Sequence, residues 1–388
     1  MNSNIHVGCH RFRHAYDGGF GRAAYPCAGS LVGWSTRLIT ERSQVRVLPR
    51  APQPLTVLAK NMKGQPSPHH QGDGMVVVSG SNAGSMAEEL ATSLGWAHHP
   101  LETRRFPDTE GYVRIPTEVI ESLRSEPVVL VSNTFPDSGI VETLLMLDAI
   151  HDVRAGQLKN LREIGPQTLP EVGKGVILAI PYFGYSRQDK RFKPGESVSA
   201  RTIADMLATR CDGIVVLDLH APAVLHDLSV PVAFTSAMPE LAAHLKSTVN
   251  PDFILSPDKG AIDRASSVAQ QIGCEFSYLE KTRIDAHTIV HQAKDLDVAG
   301  KSVAIVDDMI ATGGTICRAA EALRGQGATQ VHAACCHGLF TGGAIARLLR
   351  YVDGVHATGS LPNARDNISG GPALARGVHE LLGTLGLE

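Results

Sequence analysis

From Met75 onward, short β-branched runs alternate with segments of helical length, and this alternation constrains the fold more than any other feature of the chain. The runs at 75–78, 128–131, 176–180, 214–217 and 303–306 are apolar throughout, as strands buried on both faces of a parallel sheet are. Between them, segments 84–95, 138–154, 198–209, 236–248, 261–272, 313–325 and 370–384 carry apolar residues at three- and four-residue spacing. Helices that cover both faces of a sheet have that pattern. The expected fold is therefore α/β, with two tandem domains of mostly parallel sheet over 75–220 and 221–388. Segment 156–174, rich in Gly, Pro, Lys and Glu, breaks the rhythm and reads as a surface loop or insertion.

Residues 1–74 have a different character. They hold nine Lys/Arg against three Asp/Glu, whereas the rest of the chain holds 27 against 36. No period of two or of 3.6 is sustained there, so an unpacked extension is expected. An organelle transit peptide or a basic arm for nucleic acid would have this composition, but neither has a motif behind it. A third reading is that the leader is translated DNA upstream of the true start. Ser43–Pro49 can be encoded as the stem, TTCGAGT loop and complementary stem of a transfer-RNA T-arm, which places the expected start at Met62 or Met75.

The 388 residues are 43% hydrophobic and 19% charged, with a mean hydropathy of −0.02, enough for two cores. No apolar run reaches the length of a membrane span, and no secretory signal is evident. The seven cysteines form no Cys-x-x-Cys pair, so neither a disulfide framework nor a zinc site is expected, and the reduced cytoplasm fits best.

Chemistry in such sheets collects where strands end. Asp307-Asp308-Met309-Ile310-Ala311-Thr312-Gly313-Gly314-Thr315 follows the run 303–306 and opens a helix. Two adjacent carboxylates can face the vicinal hydroxyls of a sugar or a cation, and a Thr-Gly-Gly-Thr turn at a helix start offers N–H groups and hydroxyls to a phosphate. The bland alternative is an ordinary strand-to-helix turn with an Asp cap.

Those nine residues resemble the ribose-phosphate loop of the type I phosphoribosyltransferase superfamily. Further motifs, in order over nearly all of 75–388, narrow the resemblance to the ribose-phosphate pyrophosphokinase (phosphoribosyl-pyrophosphate synthetase) family, archaeal type. Arg105-Phe106-Pro107-Asp108-Thr109-Glu110 is similar to the segment that reaches the adenine of ATP from a neighbouring subunit. Pro181-Tyr182-Phe183-Gly184-Tyr185-Ser186-Arg187-Gln188-Asp189-Lys190 is similar to the ATP-binding loop. Leu217-Asp218-Leu219-His220 resembles the magnesium-linked strand end, Ser256-Pro257-Asp258-Lys259-Gly260 the next sugar-side turn, and Lys281-Thr282-Arg283 the catalytic Lys-x-Arg.

The residues themselves are compatible with that chemistry. No P-loop occurs, so polyphosphate would be met by Arg187, Gln188, Lys190 and Arg191, with Arg187 as a bidentate fork and Lys190 as a point charge. As a charge run alone these would be a solvated turn. His220 stands two residues after Asp218, so on a continuing strand both would share a face. A magnesium site of one or two protein ligands plus substrate oxygens is then reasonable.

The resemblance implies transfer of the β,γ-diphosphoryl group of ATP to ribose 5-phosphate, with Mg2+ as the cofactor. Phe106, Asp108, Glu110, Arg187, Gln188 and Lys190 are expected to hold ATP. Asp218 or His220, with Asp258, would organise magnesium, directly or through water. Asp307, Asp308 and Thr312, Gly313, Gly314 and Thr315 would take the ribose hydroxyls and 5-phosphate, and Lys281 and Arg283 the transition state. A homo-oligomer with a shared site is implied, and neither nucleic acid nor membrane is an expected partner. A nucleobase phosphoribosyltransferase and a non-catalytic regulatory subunit are the alternatives. Two departures stand out: Ala311 and Gly359 occupy positions where the family's pattern leads one to expect Asp.

Overall fold

Every strand run and helical segment read above corresponds to an element of the computed structural model, which describes residues 75–158, 175–283, 289–292 and 296–387. The extension 1–74, with Met62, and most of the 156–174 segment lie outside the described residues.

The first sheet contains β1 (Val76–Ser79), β2 (Ala97–Pro100), β5 (Val128–Val131), β6 (Val176–Ile180), β7 (Gly213–Leu217) and β8 (Val232–Thr235), while β3 (Glu102–Arg105) and β4 (Gly111–Arg114) form a separate antiparallel hairpin. The second sheet contains β9 (Phe253–Ser256), β10 (Glu275–Tyr278), β13 (Ser302–Ile310), β14 (Gln330–Gly338), β15 (Gly354–Thr358) and β16 (Asp366–Ile368). Between them in sequence, β11 (Glu280–Arg283) and β12 (Ile289–Gln292) pair antiparallel. Spatial order is β2-β1-β5-β6-β7-β8 in one sheet and β10-β9-β13-β14-β15-β16 in the other, so the two repeat one topology, and every pairing within them is parallel. The central strands β1, β5, β6 and β7 are buried at every residue, which is why they read as unbroken apolar runs rather than alternating ones.

Nine helices among the described residues pack on these sheets: α1 (Gly84–Leu94), α2 (Ile120–Ser125), α3 (Asp137–Arg154), α4 (Ser199–Ala208), α5 (Met238–Thr248), α6 (Ile262–Ile272), α7 (Gly314–Gly325), α8 (Ala344–Leu348) and α9 (Gly371–Leu385). Side chains of α3 and α4 bury one face of the first sheet, including Met146, Leu147, Ile150, Ala204 and Leu207. Helices α7 and α8 bury one face of the second through Ile316, Leu323 and Leu348. The remaining faces share a single apolar cluster in which Val77, Val129 and Val215 of the first sheet join Ile254, Ala304 and Ala334 of the second through α1, α5, α6 and α9. Apolar burial between the two sheets therefore fixes one against the other.

The change of sheet does not fall at residue 220. β8 lies beyond it and pairs with β7, from Ile214↔Val232 to Leu217↔Thr235, so the first sheet runs to Thr235. The chain also returns at its end, where α9 packs on α1, β7 and β8. Glu89 of α1 fastens it by accepting at Oε2 from Ser369 Oγ (2.9 Å) and from the Gly370 and Gly371 N–H groups (2.9 and 3.2 Å). A carboxylate on these otherwise unpaired donors is the favourable charge for a helix N-terminus. Among the described residues, no helix is long and apolar enough to cross a membrane.

Candidate active site

Strand β13 does not stop at Val306 but continues to Ile310, with Asp307 opposite Cys335 and Met309 opposite His337 on β14. The two aspartates thus stand on a strand, not in a loop, and differ in surroundings: Asp307 is partly exposed and Asp308 is 3% exposed. A buried carboxylate is costly unless paired and hydrogen-bonded. Asp308 meets that demand: Oδ2 accepts from His220 Nδ1 at 2.6 Å and lies 3.7 Å from the Arg264 guanidinium, while Oδ1 accepts from the Met309 N–H at 2.8 Å. Burial alone would raise its pKa, but the His220 hydrogen bond and the Arg264 charge outweigh it and hold the carboxyl at about 2. The same hydrogen bond raises His220 against its own desolvation. Asp307 is pushed well up, first by burial and then by the Asp308 charge.

Asp218 and His220 do not share a face. Strand β7 ends at Leu217, and Asp218 takes a left-handed φ of +41°, which breaks the alternation on which the expectation rested. The Asp218 carboxylate accepts from Ser236 Oγ (2.6 Å) and the Ala237 N–H (2.8 Å), so it secures the turn after β8 and does not reach the cavity. His220 does line it, together with Arg187, Asp258, Lys259, Gly260, Arg264, Asp307, Asp308 and Met309, around about 490 Å³. Asp258 closes the turn after β9 by accepting from the Gly260 N–H at 2.8 Å.

A second cavity, of about 520 Å³, has aromatic walls: Phe135, Tyr182, Tyr185 and Phe192 surround it with Asp137, Ser186, Arg187, Gln188 and Leu339. The loop after β6 builds this wall. Gly184 donates its N–H to Thr134 Oγ1 at 2.7 Å, and a Cβ there would collide with the Thr134 carbonyl. Tyr185, at a left-handed φ of +63°, donates its hydroxyl to Asp137 at 2.6 Å, and Gln188 returns its N–H to the Tyr185 carbonyl. Arg187 lines both cavities, which makes it the meeting point of the aromatic and the acidic compartments. Lys190 lines neither and sits 5.6 Å from the Phe192 ring centroid.

Two expected groups line neither cavity, and a third is described only in its backbone. Phe106, Asp108 and Glu110 form the exposed tip of the β3–β4 hairpin, where Phe106 packs edge-on against Tyr112 and Asp108 accepts from the Glu110 N–H. Thr312–Thr315 form the turn from β13 into α7, with Gly313 at φ +74°. Lys281 and Arg283 stand on β11 opposite His291 and Ile289, just after Leu279 bonds to the Ser256 carbonyl at the Asp258 turn. Their side chains lie outside the described residues.

Residues 233–350 match the family described as phosphoribosyl transferase domain, and residues 75–160 and 171–210 match the N-terminal domain of ribose phosphate pyrophosphokinase. The ribose-phosphate pyrophosphokinase of Methanopyrus kandleri is 37% identical over 314 residues, covering 80% of this chain and 100% of that relative. This chain belongs to the ribose-phosphate pyrophosphokinase family. The Methanothermobacter thermautotrophicus pyrophosphokinase is likewise 37% identical, over 77% of this chain and 98% of its own length. The crystal structure of phosphoribosylpyrophosphate synthetase from Mycobacterium smegmatis matches with a TM-score of 0.64 at 27% identity, covering 80% of this chain and 99% of that one. Residues 156–174, read above as a surface loop or insertion, overlap the 161–170 gap in the pyrophosphokinase N-terminal match.

Within this pyrophosphokinase family member, sequence reasoning missed Arg264, Phe135, Asp137, Phe192 and Leu339. Arg264 had a usable signal, as a cation in the first turn of the helix after the Asp258 turn. The others reach the cavity only through tertiary packing. Gly359 is also accounted for: a Cβ there would lie 3.4 Å from Glu89 Oε1, so an acidic residue would face the carboxylate that caps α9.

Proposed function

We propose that this chain joins ATP and ribose 5-phosphate into 5-phosphoribosyl 1-diphosphate and AMP. The observation that carries the reading is Arg187, shared by an aromatic cavity suited to a nucleoside and an acidic one suited to a sugar and its cation. The sugar's anomeric oxygen bonds the β-phosphorus of ATP, and the bond from that phosphorus to the α,β-bridging oxygen breaks.

Phosphoryl transfer requires mainly alignment and positive charge around the reacting phosphorus. Arg187 and Gln188 hold the polyphosphate where the two cavities meet, with Lys190 adding charge at the rim. Asp307 and Asp308 orient the ribose hydroxyls, and the Thr312–Thr315 turn takes the 5-phosphate. Lys281 and Arg283 stabilise charge as the bridging bond breaks.

Magnesium fits the acidic cavity. Asp258, Asp307, Asp308 and His220 surround one space, where burial first and then the Asp308 charge raise the pKa of Asp307, and a cation would offset both. Among the described residues no group of three or more His, Cys, Asp or Glu is placed to hold a metal ion, and magnesium here would take one or two protein oxygens and draw the rest from phosphates and water. Bound there, it offsets polyphosphate charge. The exposed Phe106 tip, lining neither cavity, favours a homo-oligomer in which a neighbouring subunit supplies Phe106, Asp108 and Glu110. The free thiols of Cys211, Cys274, Cys317, Cys335 and Cys336 agree with a reducing cytoplasm.

The test incubates the full chain with ATP, magnesium and ribose 5-phosphate and follows AMP. Ribose-dependent AMP is the expected result. Its absence from folded protein removes the reading, and ADP as product replaces it with an ordinary kinase.

A further inference from the structure

The turn assigned to the 5-phosphate has no side-chain cap of its own. Gly313, at φ +74°, is the N-cap of α7 and offers no side-chain acceptor. Its shape is held from elsewhere, by residues 340–348. Phe340 donates its N–H to the Ile310 carbonyl (3.1 Å) and Thr341 to the Ala311 carbonyl (3.0 Å), so this segment runs alongside the chain leading into the turn. The next contact is made by a side chain: Arg347 of α8 donates from one terminal nitrogen to the Thr312 carbonyl (2.9 Å) and from the other to the Gly342 carbonyl (2.9 Å). Leu348 then packs beneath Gly313, so closely that a Cβ on the glycine would lie 2.9 Å from its Cγ.

We propose that Arg347 is a positioning residue for ribose 5-phosphate, one that fixes the Thr312–Thr315 turn in its phosphate-accepting shape. This rests on the function proposed above. A planar fork with two donors can bridge two carbonyls at once, and a lysine at the same place cannot reproduce that geometry although it keeps the charge. Both carbonyls belong to turns, after β13 and after β14, and nothing in a helix or strand ladder would otherwise fix the Thr312 carbonyl. With that carbonyl held, the planar peptide sets the Gly313 N–H on the opposite side, at the N-terminus of α7, where the helix dipole favours a dianion. Arg347 also brings its own positive charge to this end of α7. Its effect falls on the sugar phosphate alone, because Arg347 lines neither the aromatic nor the acidic cavity.

The experiment measures binding on the full chain by calorimetry, with ribose 5-phosphate and with ATP as separate titrants, for wild type, Arg347→Lys and Arg347→Met. Arg347→Met should weaken ribose 5-phosphate about tenfold, as loss of a charged two-bond contact does, and leave ATP affinity unchanged. Arg347→Lys should fall between, since it restores charge without the fork. Steady-state kinetics should show the same split, with KM for ribose 5-phosphate raised and kcat nearly kept. Equal ribose 5-phosphate affinity in all three proteins overturns the assignment. So does a parallel loss for both substrates with a lowered Tm, which would make Arg347 a general stabiliser. If wild type itself fails to bind ribose 5-phosphate, the proposed function falls together with this inference.

Discussion

His220 Nδ1 lies 2.6 Å from Asp308 Oδ2, and the two residues come from different sheets: His220 follows β7 of the first, Asp308 stands on β13 of the second. The contact closes the acidic cavity across the junction. It also keeps Asp308 ionised while Asp307 beside it is pushed toward protonation. Removing the histidine leaves the buried carboxylate with Arg264, at 3.7 Å, as its nearest cation among the described residues. His220→Ala should lower kcat/KM about 10- to 100-fold, the range for loss of a partner that orients a site carboxylate, and His220→Gln should lose less because a donor remains. Rates of AMP formation, compared at equal circular dichroism, check this.

Arg187 and Lys281 should fail in different ways. Arg187 stands at the junction of both cavities before any bond breaks, so Arg187→Ala should raise the KM for ATP. Lys281 is assigned to charge that develops in the transition state, so Lys281→Ala should lower kcat by about 100-fold or more and leave ATP binding nearly intact. Initial rates over a matrix of ATP and ribose 5-phosphate concentrations separate the two. A Lys281→Ala enzyme with normal turnover and a raised ATP KM would reverse the roles.

Gly184 links stability to the same site. A methyl group there meets the carbonyl of Thr134, which is backbone and cannot rotate away. Gly184→Ala should therefore cost about 1–3 kcal/mol, as overpacking against fixed atoms does, and displace Arg187 three residues on. Urea denaturation should show a lower midpoint with unchanged slope, together with a raised KM for ATP.

Seven of the nine helices were legible because each carries an apolar stripe: the segment read as 138–154 is Asp137–Arg154, and that read as 261–272 is Ile262–Ile272, whereas α2 and α8, at six and five residues, are too short to show one. The buried runs were legible because a strand covered on both faces must be apolar throughout. What failed was the assumption that a polar residue ends a strand. Asp307 and Asp308 are held in β13 by pairing with β14, a tertiary fact that overrides local polarity. The reverse happened at Asp218, where a left-handed φ ends the pleat one residue before a side chain was assigned a direction. β8 escaped notice because Val232–Thr235 is a four-residue edge strand, partly exposed and preceded by Pro231, which breaks its apolar run. Phe135 and Leu339, from different sheets, meet in one cavity, and no spacing in the chain encodes that.

A pH effect is expected far from the reaction. His244 Nε2 lies 3.0 Å from His356 Nδ1, and His356 Nε2 lies 3.3 Å from His332 Nδ1, so three imidazoles join α5 to β14 and β15. Burial, then the neighbouring His244 and His332, with Arg365 behind them, pull His356 down to about 4, and burial lowers His244 and His332 as well. The unfolded chain takes up its proton near the ordinary value of about 6.5, before the folded one does, so unfolding binds protons over this window. The contribution of this histidine chain should therefore be full above pH 6.5, fall as the pH drops toward 4 and level off below. The His356 share should be about 1 kcal/mol, given its partial exposure. His356→Asn should flatten that slope between pH 6.5 and 4 in urea titrations, and an unchanged slope would show that the histidine chain does not govern it.

The hairpin tip poses the question of where the active site is completed. Phe106, 39% exposed, lies at a tip that lines neither cavity of its own chain, yet the aromatic cavity beside Arg187 is open for an adenine. An aromatic ring with acidic neighbours can stack on a purine and accept from its amino group, so the tip is suited to a nucleotide held by another copy. On that reading Phe106→Ala and Lys281→Ala damage different components of each shared site: one the tip that a subunit donates, the other the site that it houses. Each variant alone should be nearly inactive. Mixed and allowed to exchange subunits, they should regain part of the wild-type rate, because a Phe106→Ala subunit keeps an intact Lys281 and can receive an intact tip from a Lys281→Ala neighbour. At random pairing about a quarter of such interfaces would be whole, which sets the ceiling of recovery. Recovery should depend on exchange and vanish when the oligomers are cross-linked before mixing. No recovery, with exchange shown by mass spectrometry of differently tagged subunits, would place the tip and Lys281 in the same subunit's site.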